Sequence, residues 1–439
     1  MKSYQKELLQ VTFDFTGMYE FYEDQLKNRF LPFWLKKSPD SKRGGYFTCF
    51  NNVTGELVSK DKYTWSQGRM VWLLSKLGTM RCFSQAEQAE LLELARSGAL
   101  YIRDYVILDG YRCAFLTDES GRHKPVNGII DASILADMFV TMGFGRYATV
   151  SNDHDFYGLA TSLYESILGR VAAGGVHSQP YPDIPGFRTH ARLMGLLDLS
   201  KELMSVMSHF NDRRYHEANT RGGLYVSEIF RRFRDKNNLI REMILDDCGI
   251  DDNLLLTRYI NPGHTIEDMW FIMHYALKNN NETMINDAAQ TLKATFDRGW
   301  DKEYGGLFLF ADKDGGEPRG SIEGIEDEVM TRKVQNDWSS KLWWPHSEAL
   351  YALALAFVLT RDKGFYERYN RLFEYVFTVF PNPGADGEWI QIRNRKGEPE
   401  NRVVALPVKD PYHIMRNFVL LMDIADNGGN SDTFRNIII

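Results

Sequence analysis

The chain of 439 residues has no surplus of positive charge. Lys and Arg total 52 against 59 Asp and Glu, a net charge of −7. That removes the electrostatic basis for a nucleic-acid partner, because phosphates are neutralised by basic side chains. Cysteine is scarce as well. Cys49, Cys82, Cys113 and Cys248 are scattered and form no CxxC pair. This excludes a disulfide framework and a cysteine zinc site, and it fits free thiols in a reducing compartment. The longest strongly apolar run, 349–359, is too short for the roughly 20 residues that span a bilayer. The opening stretch MKSYQKELLQ has no apolar segment, so no secretory signal is expected and a cytoplasmic location is. Neither a GxxxxGK[ST] phosphate loop nor an HExxH zinc motif occurs.

What is present is an ordinary globular composition, 44% hydrophobic and 25% charged, which excludes global disorder. Aromatic residues reach 13%, enough to fill a large core or to line a pocket for sugars. Length alone suggests about three domains. An internal repeat replaces that expectation. A Gly-aromatic start followed by a turn glycine recurs at Gly44-Gly45-Tyr46-Phe47, Gly110-Tyr111, Gly305-Gly306-Leu307-Phe308 and Gly387-Glu388-Trp389, with Gly222-Gly223-Leu224-Tyr225 as a less regular copy. Each predicts a short β-hairpin.

Between the hairpins lie amphipathic stretches of helical period near 4–30, 66–80, 86–105, 131–149, 155–170, 187–207, 209–219, 265–279, 283–298, 341–360, 364–380 and 411–426. Alternate helices begin about 69 residues apart on average, and units of this kind must stack on their neighbours to bury their apolar faces. Six helix pairs closing into a ring predict one all-α domain over 1–439. It has inner and outer helix layers and is closed by the helix near 411–426.

Chemistry-bearing residues collect at the starts of the presumed inner helices. Asn261-Pro262-Gly263-His264-Thr265-Ile266-Glu267-Asp268 reads as a loop entering a helix, with Thr265 and Asp268 as a capping box. Trp344-Pro345-His346-Ser347-Glu348 places a proline at a helix start. In Asp410-Pro411-Tyr412-His413, Asp410 caps the helix that carries His413. Arg69 follows Trp65 at a fourth start. A lone histidine at a helix start is ordinarily a satisfied surface residue; recurrence on the inner layer is what singles these out. Glu267 and Glu348 also suit a helix N-terminus on electrostatic grounds, and Trp270, Trp343 and Trp344 suit a core as well as a ligand platform. His264, Glu267, His346, Glu348 and His413 are residue types that bind metals, but no metal is expected. Gly143-Phe144-Gly145-Arg146-Tyr147-Ala148 fits the GxGxxA dinucleotide fingerprint, yet it lies in a helical stretch and is discounted.

Five stretches carry a family resemblance: Tyr63-Thr64-Trp65-Ser66-Gln67-Gly68-Arg69, Asn261 to Glu267, Gly299-Trp300-Asp301 with Gly305 to Phe308, Lys341-Leu342-Trp343-Trp344-Pro345-His346-Ser347-Glu348-Ala349, and Tyr412-His413-Ile414-Met415-Arg416. In this order they resemble the N-acylglucosamine 2-epimerase (renin-binding protein) family, from about Gly44 to Ile424. The last match is looser, with Ile414-Met415 where the family has Val-Pro. The resemblance implies an (α/α)6 barrel with short β-hairpins in its inter-helix loops. It implies interconversion of N-acetylglucosamine and N-acetylmannosamine, no consumed cofactor, ATP or another nucleotide as activator, and a homodimer.

By the same resemblance, His264 and His413 are the acid/base pair. Arg69 and Glu348 are important for activity, and Glu267 supports His264. Trp65, Trp344, His346, Lys341, Trp270 and His190 are candidate substrate contacts. Relatives acting on cellobiose or mannose share the barrel, and some place a further histidine on the inner helix that here begins His190-Ala191-Arg192. The stretch 317–337 is longer and more acidic than the family's usual loop and is expected to be a solvated insertion more than a lid. A glycoside hydrolase using an Asp/Glu pair and a non-catalytic sugar-binding protein are the remaining alternatives.

Overall fold

The computed structural model describes residues 14–382 and 387–430. The first part of the helix expected from residue 4 lies outside them. The outer helices form because their apolar residues fall on one stripe. Glu282–Gly299 buries Ile285, Ala288, Ala289, Leu292 and Phe296, and Lys363–Val379 buries Phe365, Tyr369, Leu372, Phe373 and Val376; these are the three- and four-residue spacings of a single helix face. Their starts are capped by acceptors on Ser84, Asp153, Asn281 and Asp362, each satisfying an otherwise orphaned N–H. The inner helices are apolar around most of their circumference. Trp343–Thr360 buries every residue from Pro345 to Ala356, as a helix enclosed on all sides must.

The inner helices Thr64–Leu77, Ile134–Ser151, His190–His209, Pro262–Lys278, Trp343–Thr360 and Tyr412–Asp426 touch in sequence order, and the last returns to the first. The outer helices Gln85–Tyr105, His154–Ala173, Tyr215–Glu228, Glu282–Gly299 and Lys363–Val379 pack on the inner helix before them, while Phe15–Asp24 covers Tyr412–Asp426. Phe15–Asp24 and Tyr412–Asp426 thus complete the ring as the (α/α)6 barrel. The first two inner helices approach closely at a pair of glycines. A Cβ on Gly68 would lie 2.5 Å from the Phe139 backbone, and one on Gly143 would lie 2.6 Å from the Gly68 carbonyl. The GxGxxA stretch is helical, and its first glycine serves this packing.

Short antiparallel pairs sit on one rim. Lys62–Tyr63 pairs with Leu116–Thr117, Phe187–Thr189 with Met243–Leu245, Tyr259–Ile260 with Ala311–Asp312, and Lys341–Leu342 with Ile392–Arg393. In each pair the first strand runs into an inner helix, so the pairing fixes where that helix starts. The Gly44-Gly45 and Gly305-Gly306 turns have positive φ, which a side chain would resist.

Four expectations are corrected. Gly222-Gly223-Leu224-Tyr225 is not a hairpin; it lies inside Tyr215–Glu228, where Gly222 leaves room for the Tyr275 ring. That helix therefore replaces the one expected at 209–219. Thr265 and Asp268 form no capping box: Asn261 is the cap, accepting the His264 N–H at 3.1 Å. The stretch 317–337 is not simply solvated. It contains the helix Val329–Asp337, whose Met330, Thr331 and Val334 are buried, and Ser321 bridges to Leu254.

Candidate active site

On the rim where the inner helices begin, a cavity of about 240 Å³ opens. Trp65, Arg69, Met138, Phe139, Glu242, His264, Glu267, Trp344, Asp410 and His413 are among the residues that line it. Most of the lining is apolar, with a few convergent polar groups, the usual character of a small-molecule site.

His413 sits in the first turn of Tyr412–Asp426, whose start is pinned by Asp410 Oδ1 accepting the Tyr412 N–H at 3.0 Å. Its Nδ1 lies 2.7 Å from Glu348 Oε1 and 3.7 Å from Glu267 Oε1. The Arg416 guanidinium, one turn along the same helix, donates to Glu267 Oε1 at 2.5 Å and to Glu348 Oε1 at 2.6 Å. Trp270 Nε1 donates to the other Glu348 oxygen at 2.8 Å. Burial alone would raise the Glu348 carboxyl, but Arg416 and His413 outweigh it and hold it well below the usual carboxylate range. Glu267, Glu348 and His413 gather ligand atoms within 4.8 Å of one another, but the cation between the two carboxylates is already there, as Arg416.

His264 stands on Pro262–Lys278 and is the more exposed of the two histidines, at 24%. Its Nδ1 lies 2.9 Å from Glu242 Oε1. Burial would raise Glu242, but His264 and His190 bring it down to about 2. Each cavity histidine therefore has Nδ1 directed at an ionised, buried carboxylate. For His264 that partner sets the tautomer with Nδ1–H donating and leaves Nε2 for the cavity, while His413 Nε2 also lies 3.5 Å from Asp410 Oδ2, the oxygen next to Arg69. The Trp344 indole packs against both imidazoles, with ring centroids 5.3 Å from His264 and 5.8 Å from His413.

Arg69 contributes a third element. Its guanidinium lies 4.0 Å from the Phe139 ring centroid, 4.8 Å from Trp65 and 5.2 Å from Tyr412. Its Nη1 is 3.4 Å from Asp410 Oδ2, and its buried Nε has no hydrogen-bond partner among the described residues. The result is a rigid, partly unsatisfied cation at the cavity wall.

The structure brings together Trp65, Arg69, His264, Glu267, Trp344 and His413 around the cavity, with Glu348 directly beneath His413. It does not bring the others there. Glu267, although at the cavity, serves the Arg416–His413 side and not His264, its Oε1 accepting from Arg416 across the ring. Trp270 is buried behind Glu348. His190 is buried, with Nε2 2.8 Å from Asp268 Oδ2. His346 is buried, and its Nε2 accepts the Leu307 N–H at 2.8 Å; burial lowers its pKa to about 3. Lys341 is buried against Asp301 at 3.1 Å.

The repeat explains those last two. Lys62 meets Asp40 at 2.7 Å as Lys341 meets Asp301, and five residues on, Gln67 accepts the Tyr46 N–H at 2.8 Å as His346 accepts that of Leu307. Tyr46 and Leu307 both follow a Gly-Gly pair. Lys341 and His346 thus belong to a joint that ties each hairpin to its inner helix. Two residues further on, the equivalent positions hold Arg69 and Glu348, both of which serve the site.

Sequence reasoning missed Glu242 and gave Arg416 no role. Arg416 carried a signal, since it stands three residues after His413 on one helix face. Glu242 carried none, because it precedes a short strand and meets His264 only through the fold.

The family model for N-acylglucosamine 2-epimerase (GlcNAc 2-epimerase) matches residues 45–417. The chain belongs to this family. It is 29% identical over 405 residues to the N-acylglucosamine 2-epimerase of Bos taurus, covering 91% of this chain and 89% of that protein. It is 28% identical to that of Homo sapiens, covering 89% and 86%. A cellobiose 2-epimerase from Dictyoglomus turgidum is 19% identical over 89% of the chain and 94% of that protein. Among solved structures, the cellobiose 2-epimerase from Bacillus thermoamylovorans superposes with a TM-score of 0.74 at 18% identity, covering 93% of this chain and 99% of that one. At that identity the superposition speaks for the fold. Among the described residues no helix is long and apolar enough to cross a membrane.

Proposed function

We propose that the protein interconverts N-acetylglucosamine and N-acetylmannosamine by moving the proton at C2 of the open-chain sugar. One observation carries this reading: two imidazole–carboxylate pairs, Glu242–His264 and Glu348–His413, open on one cavity beside Trp344. Inverting C2 requires a base on one face and a proton donor on the other. The C1 carbonyl of the open sugar makes the C2 proton acidic, and removing it gives an enolate. Histidine, ordinarily near pKa 6.5, serves as base or acid at neutral pH. With Nδ1 held by a carboxylate, His264 offers Nε2 to the sugar and His413 offers it beside Asp410, 3.5 Å away, and the carboxylates stabilise the imidazolium that forms. Arg69 is placed to stabilise the enolate oxygen, a role that suits a preorganised cation in a dry site. The two proton transfers balance without any net electron change. Trp344 and Trp65 present flat faces to the sugar, and the apolar wall at Met138 and Phe139 suits the acyl methyl.

The test is a panel of N-acetylmannosamine, mannose and cellobiose in heavy water, read by proton NMR with and without a nucleotide. Deuterium entry at C2 of N-acetylmannosamine with formation of its epimer supports the reading, and its absence refutes it. Ketose formation from mannose would indicate an isomerase instead. His264→Ala and His413→Ala should each abolish turnover. A homodimer, a cytoplasmic location and nucleotide activation belong to the same proposal; sedimentation tests the first.

A further inference from the structure

The site has a paired construction. On one side, His413 rests on Glu348, a second acid (Glu267) lies alongside, and the buried Arg416 touches both carboxylates at 2.5 and 2.6 Å. On the other, His264 rests on Glu242, and the second acid is Asp268. The group between those two carboxylates is His190, with Nε2 2.8 Å from Asp268 Oδ2 and Nδ1 3.5 Å from Glu242 Oε2. We infer that His190 is a positioning residue protonated at neutral pH, the internal cation that does for Glu242–His264 what Arg416 does for Glu348–His413.

Donor and acceptor counting carries the argument. His190 is wholly buried, so no water meets either nitrogen. Both nitrogens face carboxyl oxygens, which only accept while ionised; burial raises the Asp268 carboxyl and His190 opposes that rise, whereas Glu242 is held down. A neutral imidazole has one N–H and would turn its lone pair on one of them; the imidazolium alone has two. The 3.5 Å contact is an ion-pair distance and not a formed hydrogen bond, and neither His190 Nδ1 nor Glu242 Oε2 has a hydrogen-bond partner among the described residues. Nor does a lysine or arginine there pair with Glu242 or Asp268; the groups near them are His190, His264 and the Tyr259 phenol. Without a proton on His190, two buried carboxylates would lack a buried cation, a costly arrangement. Burial works against the charge on His190, but Asp268 and Glu242 outweigh it and raise its pKa to about 9.

The consequence rests on the proposed epimerase reading. His190 keeps Glu242 ionised and aimed at His264, so the His264 arm loses its proper tautomer when the His190 charge is removed. Two measurements test this. The first is ¹⁵N-histidine NMR of the full chain, with His190 assigned through its contact with the Phe233 ring, 6.1 Å away. Both ring nitrogens should carry protons at pH 7, and a single protonated nitrogen overturns the inference. This measurement needs no substrate, so it is independent of the activity.

The second measurement is C2 exchange in heavy water by His190→Gln, which keeps an amide donor but no charge. Proton transfer through His264 should slow by about 10- to 100-fold, the range seen when partners that orient a metal-bound histidine are removed. The loss should be directional. From the epimer whose proton His413 takes, deuterium still enters the unreacted sugar while epimerisation falls. From the other epimer, both fall together. Equal loss of C2 exchange from both epimers would mean a merely structural histidine and would overturn the positioning role. If the native chain exchanges no C2 proton while His190 is doubly protonated, the epimerase reading fails and the assignment of the charge stands.

Discussion

Replacing Arg416 with methionine should expose how the His413 side is held together. The side chain is 3% exposed and bonds two buried carboxylates, so its loss leaves uncompensated negative charge in a dry site. Breaking a buried ion pair from one side costs about 3–5 kcal/mol. At about 2.1 cal/mol/K per residue, unfolding 439 residues carries about 0.9 kcal/mol/K, so Tm should fall by about 3–5 °C. The loss should also depend on pH. Glu348, ordinarily near 4.5, is held down in the fold. A depressed carboxyl stabilises the fold above its unfolded pKa, and that stability is lost as pH falls through the folded value. In the variant, burial acts on Glu348 without Arg416 and favours the protonated acid, so ionisation at neutral pH now opposes folding. The Tm gap between native and variant should therefore be widest near pH 7 and should narrow as pH falls toward about 5. Calorimetry at four or five pH values across that interval measures it. An unchanged Tm, or a gap constant across pH, would refute the claim that Arg416 is the counter-charge of this cluster.

Three other outcomes are expected. His346→Gln should stay within about 1 kcal/mol of native stability and keep turnover, because Gln67 already fills the equivalent joint with an amide; His346→Ala should cost about 1–3 kcal/mol by orphaning the Leu307 N–H. Denaturant melts of both variants decide it, and a loss of turnover in a folded His346→Gln would place that residue in the site after all. Gly68→Ala should destabilise by about 1–3 kcal/mol or more, as overpacking does, since its methyl would meet the Phe139 backbone at 2.5 Å; a native melting curve would contradict the close helix approach. Glu242→Gln should slow C2 exchange by about 10²-fold or more, the scale of a positioned acid/base group, with circular dichroism unchanged, and full activity would detach Glu242 from His264.

Much of the ring was legible because helical period and recurring glycine pairs are local properties. The inner helices were expected near 66, 131, 187, 265, 341 and 411, and they begin at 64, 134, 190, 262, 343 and 412. The miss at Gly222-Gly223 has a physical cause: a glycine pair marks a turn only where the backbone needs positive φ, and here it makes room for the Tyr275 ring. Lys341 and His346 were misplaced for a related reason. They lie within the most recognisable motif, yet aligning the motif with its own repeat at Lys62 and Gln67 shows the joint they form.

The sequence by itself determined the number of helix pairs, the rim on which the inner helices start, and that Arg69, His264 and His413 share that rim, because spacing and helix-start chemistry are written along the chain. Which carboxylate serves which histidine was decided only by the tertiary structure. Glu242 lies 22 positions before His264 and Glu348 lies 65 before His413, and Glu267 faces the opposite partner from the one its nearness to His264 suggests. Closing the ring sets the side-chain directions of adjacent inner helices against one another. Those directions, more than separation along the chain, assign the buried charges.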